Sequence, residues 1–208
     1  MICVIDYGAG NLPSVVNALK TIGVEAVVSE DPRDVHRAGG VILPGVGAFG
    51  DGMRTLRELG MVDALRKRVV EEGVPYLGIC LGLQFLGRRS SEYGDHEGLG
   101  WIEGDVVPIQ PTDPSLRVPH MGWNEIRIEQ DDPLLNGDSS PGVFYFVHSY
   151  HLSVDESDRQ WVTATVEHGG ALTAAVRKDN IFGVQFHPEK SQKAGLDLLR
   201  NFVELVGG

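Results

Sequence analysis

Cysteine is scarce in this chain. Its 208 residues hold two, Cys3 and Cys80, and their spacing fits neither a C-x-x-C redox pair nor a zinc set. In a cytosolic setting a disulfide between them is not expected. Basic residues are also outnumbered: 18 Lys and Arg stand against 29 Asp and Glu, a formal net charge of -11. Binding to phosphates needs clustered Lys and Arg, so nucleic acid is excluded as an expected partner, and an anionic membrane surface fits no better. No apolar run reaches about 18 residues, so no membrane span is expected. The opening Met1-Ile2-Cys3-Val4-Ile5-Asp6-Tyr7 lacks a basic leader region and a cleavage site, and reads as the first strand of a cytoplasmic protein.

What is present points to one globular domain over residues 1–208. Hydrophobic residues make up 42%, enough for a large core, and the 27 glycines announce tight turns or close backbone approaches. The first ninety residues alternate short apolar runs with helical patterns. Strands are expected at Ile2–Asp6, Val24–Val28, Val41–Leu43 and Val74–Ile79. Between them, Leu12, Val15, Val16, Leu19 and Ile22 share a helix face, with Pro13 suited to that helix's first turn. Leu56–Glu72 is helical in composition. Such alternation predicts a parallel sheet covered on both faces. From Trp101 to about Val166 the pattern turns to strands, with Trp123–Ile128 alternating and Val143–Val147 apolar and aromatic. Pro111–Pro119 and Asp131–Pro141 read as loops. Further strands follow at Val162–Val166, Ala171–Val176 and Ile181–Phe186, then an amphipathic helix over Ser191–Val206 with Ser191 as N-cap. The expected architecture is therefore α/β: a doubly wound, mostly parallel sheet with an added antiparallel portion.

The most informative stretch is Gly78-Ile79-Cys80-Leu81-Gly82. A cysteine sits where a buried strand runs into a helix, with glycine two residues before and two after. This is the cysteine counterpart of the G-x-S-x-G nucleophile elbow. Side chains at the flanking positions would collide in so sharp a turn. A helix N-terminus also favours the thiolate and lies near a forming oxyanion. The plainer alternative is a core cysteine with glycines for packing.

A thiol in such a turn needs a base and an orienter. His187 follows an apolar strand in Phe186-His187-Pro188-Glu189, where a parallel sheet gathers its site residues. Glu189 is placed to turn back and hold the imidazole. The same His-x-Glu spacing occurs in zinc deaminases, but their Pro-Cys-x-x-Cys half is missing here, so no metal and no cofactor is called for. His120, His148 and His151 lie beside aromatic strands and are candidates for a pocket wall, with a structural role as the alternative. His168 reads as a turn residue. Gly8-Ala9-Gly10 has the look of a dinucleotide loop, but Pro13 occupies the third glycine position. Pro44-Gly45-Val46-Gly47 follows the third strand and offers backbone N–H groups for an oxyanion hole.

Together these pieces resemble the class I glutamine amidotransferases, on Gly78–Gly82 and His187-Pro188-Glu189. Five further strings narrow the likeness to the glutaminase subunits of imidazole glycerol phosphate synthases: Asp6-Tyr7-Gly8-Ala9-Gly10-Asn11, Leu43-Pro44-Gly45-Val46-Gly47-Ala48-Phe49, Pro119-His120-Met121-Gly122-Trp123-Asn124, Tyr145-Phe146-Val147-His148-Ser149-Tyr150 and Gln185-Phe186-His187-Pro188-Glu189-Lys190-Ser191-Gln192. Departures from that pattern are Leu83 in place of methionine, the basic pair Arg88-Arg89, and His168 in place of tyrosine.

The resemblance implies a flavodoxin-like fold and a Cys80–His187–Glu189 triad that hydrolyses glutamine. It implies an oxyanion hole at Val46 and Leu81 and a substrate cradle of Gly47, Gln84, His148, Ser149 and Tyr150. It also implies a heterodimer with a (β/α)8-barrel cyclase subunit, which receives the ammonia in histidine biosynthesis. Asn11, Met121, Trp123, Tyr145 and Lys190 would face that partner. A core position is the alternative for Trp123. The open alternatives for function are a glutaminase serving another synthase, a cysteine hydrolase or peptidase with the same turn, and a non-catalytic binding module.

Overall fold

The computed structural model describes residues 1–137 and 142–207; the last part of the expected Asp131–Pro141 loop lies outside them. In chain order the elements are β1 (Ile2–Ile5), α1 (Leu12–Thr21), β2 (Ala26–Ser29), α2 (Pro32–Arg37), β3 (Gly40–Gly45), α3 (Phe49–Glu58), α4 (Met61–Leu65), β4 (Tyr76–Cys80) and α5 (Leu81–Gln84). They continue with β5 (Arg89–Ser90), β6 (His96–Glu97), β7 (Gly104–Pro108), β8 (His120–Ile128), β9 (Val143–His148), β10 (Tyr150–Val154), β11 (Val162–Glu167), β12 (Ala171–Lys178), β13 (Ile181–Val184) and α6 (Gln192–Gly207).

The main sheet has nine strands in the order β2-β1-β3-β4-β13-β12-β11-β8-β9. The strands from β2 to β13 are parallel, and β12, β11, β8 and β9 continue antiparallel. The parallel half has the flavodoxin order. Alternation along the strands splits the core in two. Ile2, Val4, Ile42, Leu77 and Ile79 meet α1 and α6 through Val15, Leu19, Leu198 and Phe202. Cys3, Ile5, Val41, Leu43 and Tyr76 meet Val35, Met53, Leu56 and Met61 on the other face. Cys3 is fully enclosed, and burial, helped by the charge of Asp34, pushes its thiol up to about 11. It is a core residue, as expected. No helix among the described residues is long and apolar enough to cross a membrane.

Several expectations need correction. The single helix over Leu56–Glu72 is three pieces: α3 begins earlier, at Phe49, Gly60 breaks the chain at φ +71, and α4 runs into a π-helical turn at Arg66–Glu71. The second strand starts at Ala26 and runs to Ser29. α2 was not foreseen, although its start is capped by Asp31, whose side chain accepts the Arg33 N–H. A second, four-stranded sheet, β10-β7-β5-β6, escapes sequence reading because two of its strands are two residues long. It explains the unusual arginine pair. Arg88 bonds to Glu103, Asp105 and Asp155, and Arg89 to Asp105, tying β5 to β7 and to the end of β10. Ser191 does not spend its hydroxyl on the last helix: it donates to the His187 carbonyl and accepts the Tyr145 N–H.

The turn after β4 needs both glycines for space. A β-carbon on Gly82 would run into the Leu43 carbonyl, and one on Gly78 into the Gly82 carbonyl. The latter oxygen already accepts the Tyr76 hydroxyl at 3.0 Å. Since backbone sits on both sides, little can give way. Gly82→Ala is expected to cost about 2–3 kcal/mol of stability, read from the urea midpoint at constant slope.

Candidate active site

Cys80 ends β4 with φ +54 and ψ −103, a backbone conformation that L residues with side chains adopt only under constraint. The Gly45↔Cys80 pairing of β3 with β4 brings the Val46–Gly47 turn alongside the thiol. Gly47 turns at φ +97, and Val46 is exposed. A cavity of about 330 Å³ opens here, lined by Cys80, Val46, Gly47, Leu81, Gln84, Glu92 and the Val147–Tyr150 segment. The expected oxyanion and substrate residues are thus brought together. One physical expectation fails. The helix behind Cys80 is only Leu81–Gln84, a single turn, so its dipole gives the sulfur little help. Side chains must supply the activation.

His187 comes from the next strand. β13 pairs with β4 in parallel, Ile181↔Tyr76 through Val184↔Ile79, so the residues after Val184 emerge beside Cys80. The His187 N–H is held by the Tyr145 carbonyl at 2.9 Å. Its Nδ1 lies 2.7 Å from Glu189 Oε1, with both side chains 2% exposed. The carboxylate is an acceptor, so the ring proton sits on Nδ1 and Nε2 is left for the thiol side. Nε2 is buried and forms no hydrogen bond at rest, yet Cys80 is near enough to act on the ring. Burial alone would lower the imidazole's proton affinity. The pull of Cys80 and of Glu189 reverses that and lifts the pKa from 6.5 to about 9. A protonated ring beside the sulfur is the state this environment favours.

Two polar residues of the site were missed from sequence. Among the described residues Glu92 is the one carboxylate in the cavity lining, and its Oε2 accepts the Phe49 N–H at the start of α3, at 2.7 Å. It sits in an irregular loop with no motif around it. Gln185, fully buried, places Nε2 3.6 Å from Cys80 Sγ. Its sequence signals are a lone amide in an apolar run and a place at the head of the string that carries His187.

The histidines behave differently from His187. His148 Nδ1 lies 2.9 Å from the Tyr150 carbonyl, which can only accept, so Nδ1 carries the proton. His148 Nε2 must then accept from His120 Nδ1, at 3.0 Å. His120 Nε2 in turn accepts from Asn124 Nδ2 at 3.2 Å. Both nitrogens of His148 are spent, so it shapes the cavity wall rather than bonding to a ligand. His168 stacks on His120, ring centroids 4.3 Å apart, a larger part than the turn position expected of it.

On the opposite face of β8 and β9, Met121 is 60% and Trp123 49% exposed, which removes the core alternative for Trp123. Trp123 meets Tyr145 edge-on at 5.9 Å, and Lys190 Nζ lies over the Tyr145 ring at 5.8 Å. Asn11 leads into α1, which packs against the Pro188–Lys190 turn. The expected interface residues are therefore on neighbouring elements.

A strained cysteine at a glycine-flanked turn, with a buried His–Glu pair from the adjacent strand, defines a thiol-dependent amidotransferase site. The class I glutamine amidotransferase family matches residues 3–205, and the chain belongs to that family. Within it, the chain is 51% identical to the imidazole glycerol phosphate synthase subunit HisH of Zymomonas mobilis, over 98% of this chain and 95% of that protein. It is 48% identical to subunit HisH 2 of Pseudomonas aeruginosa, over 99% and 100%. Among solved structures, one described as a glutamine amidotransferase superposes with a TM-score of 0.73 at 25% identity, over 100% of both chains.

The neutral histidine pair predicts a response to acid. Burial, then the charge of His168, lowers His120 from 6.5 to about 4. Burial, the dominant cause, takes His148 to about 3 against a weaker opposing pull from the Tyr150 carbonyl. Unfolded, both histidines bind a proton near 6.5, so between that value and about 4 unfolding takes up protons. Stability from this pair is full above about pH 6.5 and falls as the pH drops, by up to about 1.4 kcal/mol per pH unit and group. Urea unfolding from pH 7.5 to 4.5 should show that decline, and His148→Gln should flatten it.

Proposed function

We propose that this chain is the glutamine-hydrolysing subunit of an imidazole glycerol phosphate synthase, passing ammonia to a (β/α)8-barrel cyclase subunit in histidine biosynthesis. The carrying observation is the buried His187–Glu189 pair set beside Cys80, in a chain that HisH relatives match from end to end. One domain spanning residues 1–208 and a cytoplasmic place of work belong to the same proposal.

In this reading the Cys80 sulfur attacks the carboxamide carbon of glutamine. The Val46 and Leu81 N–H groups receive the developing oxyanion. The C–N bond then breaks, and His187, already carrying a second proton, gives it to the leaving ammonia. Water attacks the glutamyl thioester, His187 takes its proton, and glutamate leaves with the sulfur restored. Glu189 orients His187 and balances its charge throughout. Gly47, Gln84, Ser149 and Tyr150 form the cradle, with His148 as its wall. Gln84 Nε2 is spent on the Tyr150 carbonyl at 3.0 Å and Gln185 Oε1 at 3.2 Å, which leaves only its carbonyl oxygen for substrate. Together with Glu92 this makes an acceptor-rich end suited to the α-ammonium group of an amino acid. Asn11, Met121, Trp123, Tyr145 and Lys190 would meet the cyclase subunit: an exposed methionine and a half-exposed tryptophan beside a tyrosine have the composition of an interface core.

The test is glutamate release, measured with the chain alone, with a cyclase subunit, and with that subunit plus its ligand. Activity is expected to need the partner, and Cys80→Ser in the complex should lose about a thousand-fold or more. Undiminished hydrolysis by Cys80→Ser would falsify the mechanism. Partner-independent cleavage of peptides or esters would favour a general cysteine hydrolase instead.

Glu92→Gln keeps an oxygen for the Phe49 N–H and removes only the charge. It is expected to raise the KM for glutamine about ten-fold with little change in kcat, as steady-state kinetics of the complex would reveal.

A further inference from the structure

The geometry points to a third group acting on the reacting sulfur: we propose that Gln185 is a catalytic residue, a fixed amide donor that holds and stabilises the Cys80 thiolate. The inference rests on Cys80 being the nucleophile.

Amide oxygen and nitrogen are told apart by their partners, and here the partners leave one answer. The Tyr150 carbonyl can only accept, so the Gln84 group 3.0 Å from it is the NH2. That NH2 also lies 3.2 Å from Gln185, so the Gln185 atom facing it is the oxygen. The Gln185 NH2 is then left pointing at Cys80 Sγ, 3.6 Å away. The Tyr150 carbonyl is itself held by His148 Nδ1 at 2.9 Å, so the fixed point of the chain does not rotate. Gln185 is fully buried, and its backbone N–H is bound to the Ala174 carbonyl at 2.8 Å. It has no other orientation that satisfies both ends.

A neutral thiol gains little from an N–H donor, whereas a thiolate gains a charge-assisted bond. With a single helical turn behind Cys80, this donor acts beside His187 in favouring the ionised sulfur. They also divide the work. His187 moves a proton during the reaction, and Gln185 cannot, so it supplies a constant field and fixes the direction in which the sulfur points. Gln84 and Tyr150 are positioning residues, acting on the sulfur only through Gln185.

The pH profile of Cys80 alkylation by iodoacetamide, in the full chain, reads this directly. Cys80→Ser gives the background, and buried Cys3 stays silent. Gln185→Met fills the same space without a donor. It is expected to move the alkylation midpoint up by about one pH unit, which slows alkylation about ten-fold at pH values below the midpoint, and to lower kcat in the complex with little change in KM. An unmoved midpoint in a folded Gln185→Met protein overturns the proposal. A measurement on the native chain covers a variant that does not fold. The Gln185 side-chain amide signal in 15N-labelled protein should shift as Cys80 titrates and stop doing so in Cys80→Ser; a signal indifferent to the sulfur is equally fatal. If Cys80→Ser itself hydrolyses glutamine, the underlying reading fails instead, whatever Gln185→Met does.

Discussion

The register of β13 against β4 is the constraint on which the rest depends. These strands are separated by about a hundred residues of chain, yet Val184 lies opposite Ile79. Because they run parallel, both release their next residues at one edge. Cys80 leaves β4 there, and Gln185 and His187 leave β13 there. A slip of one residue would turn Gln185 and His187 to the other face. Gly183 guards that register, since a β-carbon on it would press on Leu83, which lies in the turn behind Cys80. Sheet pairing, strained backbone and reacting groups are thus one packing problem.

Around that edge the chain keeps two kinds of imidazole. His187 has a carboxylate on one nitrogen and the sulfur on the other side, and its proton affinity rises despite burial. His120 and His148 have a carbonyl, an amide, each other and His168, and theirs falls. All three rings are buried, and burial pushes each toward the neutral form; the sulfur and the carboxylate beside His187 reverse that push. The neutral pair keeps the Tyr150 carbonyl a constant acceptor, and that carbonyl orients Gln84 and, through it, Gln185. A charged histidine in the pair would break the sequence of donors and acceptors at once. The site therefore separates one group that must change protonation from a scaffold that must not.

What the sequence made legible follows from the range of the forces involved. Gly78 and Gly82 could be read because backbone collisions within a five-residue turn are local. The Cys80, His187 and Glu189 assignment needed only strand ends and spacing. The parallel half of the sheet came from alternating apolar runs, with errors of a few residues at the ends. The break at Gly60 did not, because the pattern continues through it and only a positive φ ends the helix. The small sheet did not, because its strands are too short for a period. Glu92 and Gln185 matter through contacts 43 and 105 residues away in sequence. No local rule reaches so far, although an amide inside an apolar strand is a buried polar group in need of partners.

The same separation of distances connects the proposed partner face to the chemistry. β8 and β9 alternate, so Trp123 and Tyr145 lie on the outer face while His120 and His148 are buried on the inner one, His148 lining the cavity. The Tyr145 side chain belongs to the outer face, but its backbone belongs to the site. Its carbonyl holds the His187 N–H, and its N–H binds the Ser191 hydroxyl, which in turn donates to the His187 carbonyl. The loop carrying the base is thus clamped from both ends by one residue of β9. A partner that shifted Tyr145 would move His187 without touching it. β9 is the end strand of the main sheet, paired on one side with β8 and bonded on the other to the His187–Ser191 loop. The last strand thus holds the His187 loop, while Cys80 and His187 themselves leave paired central strands.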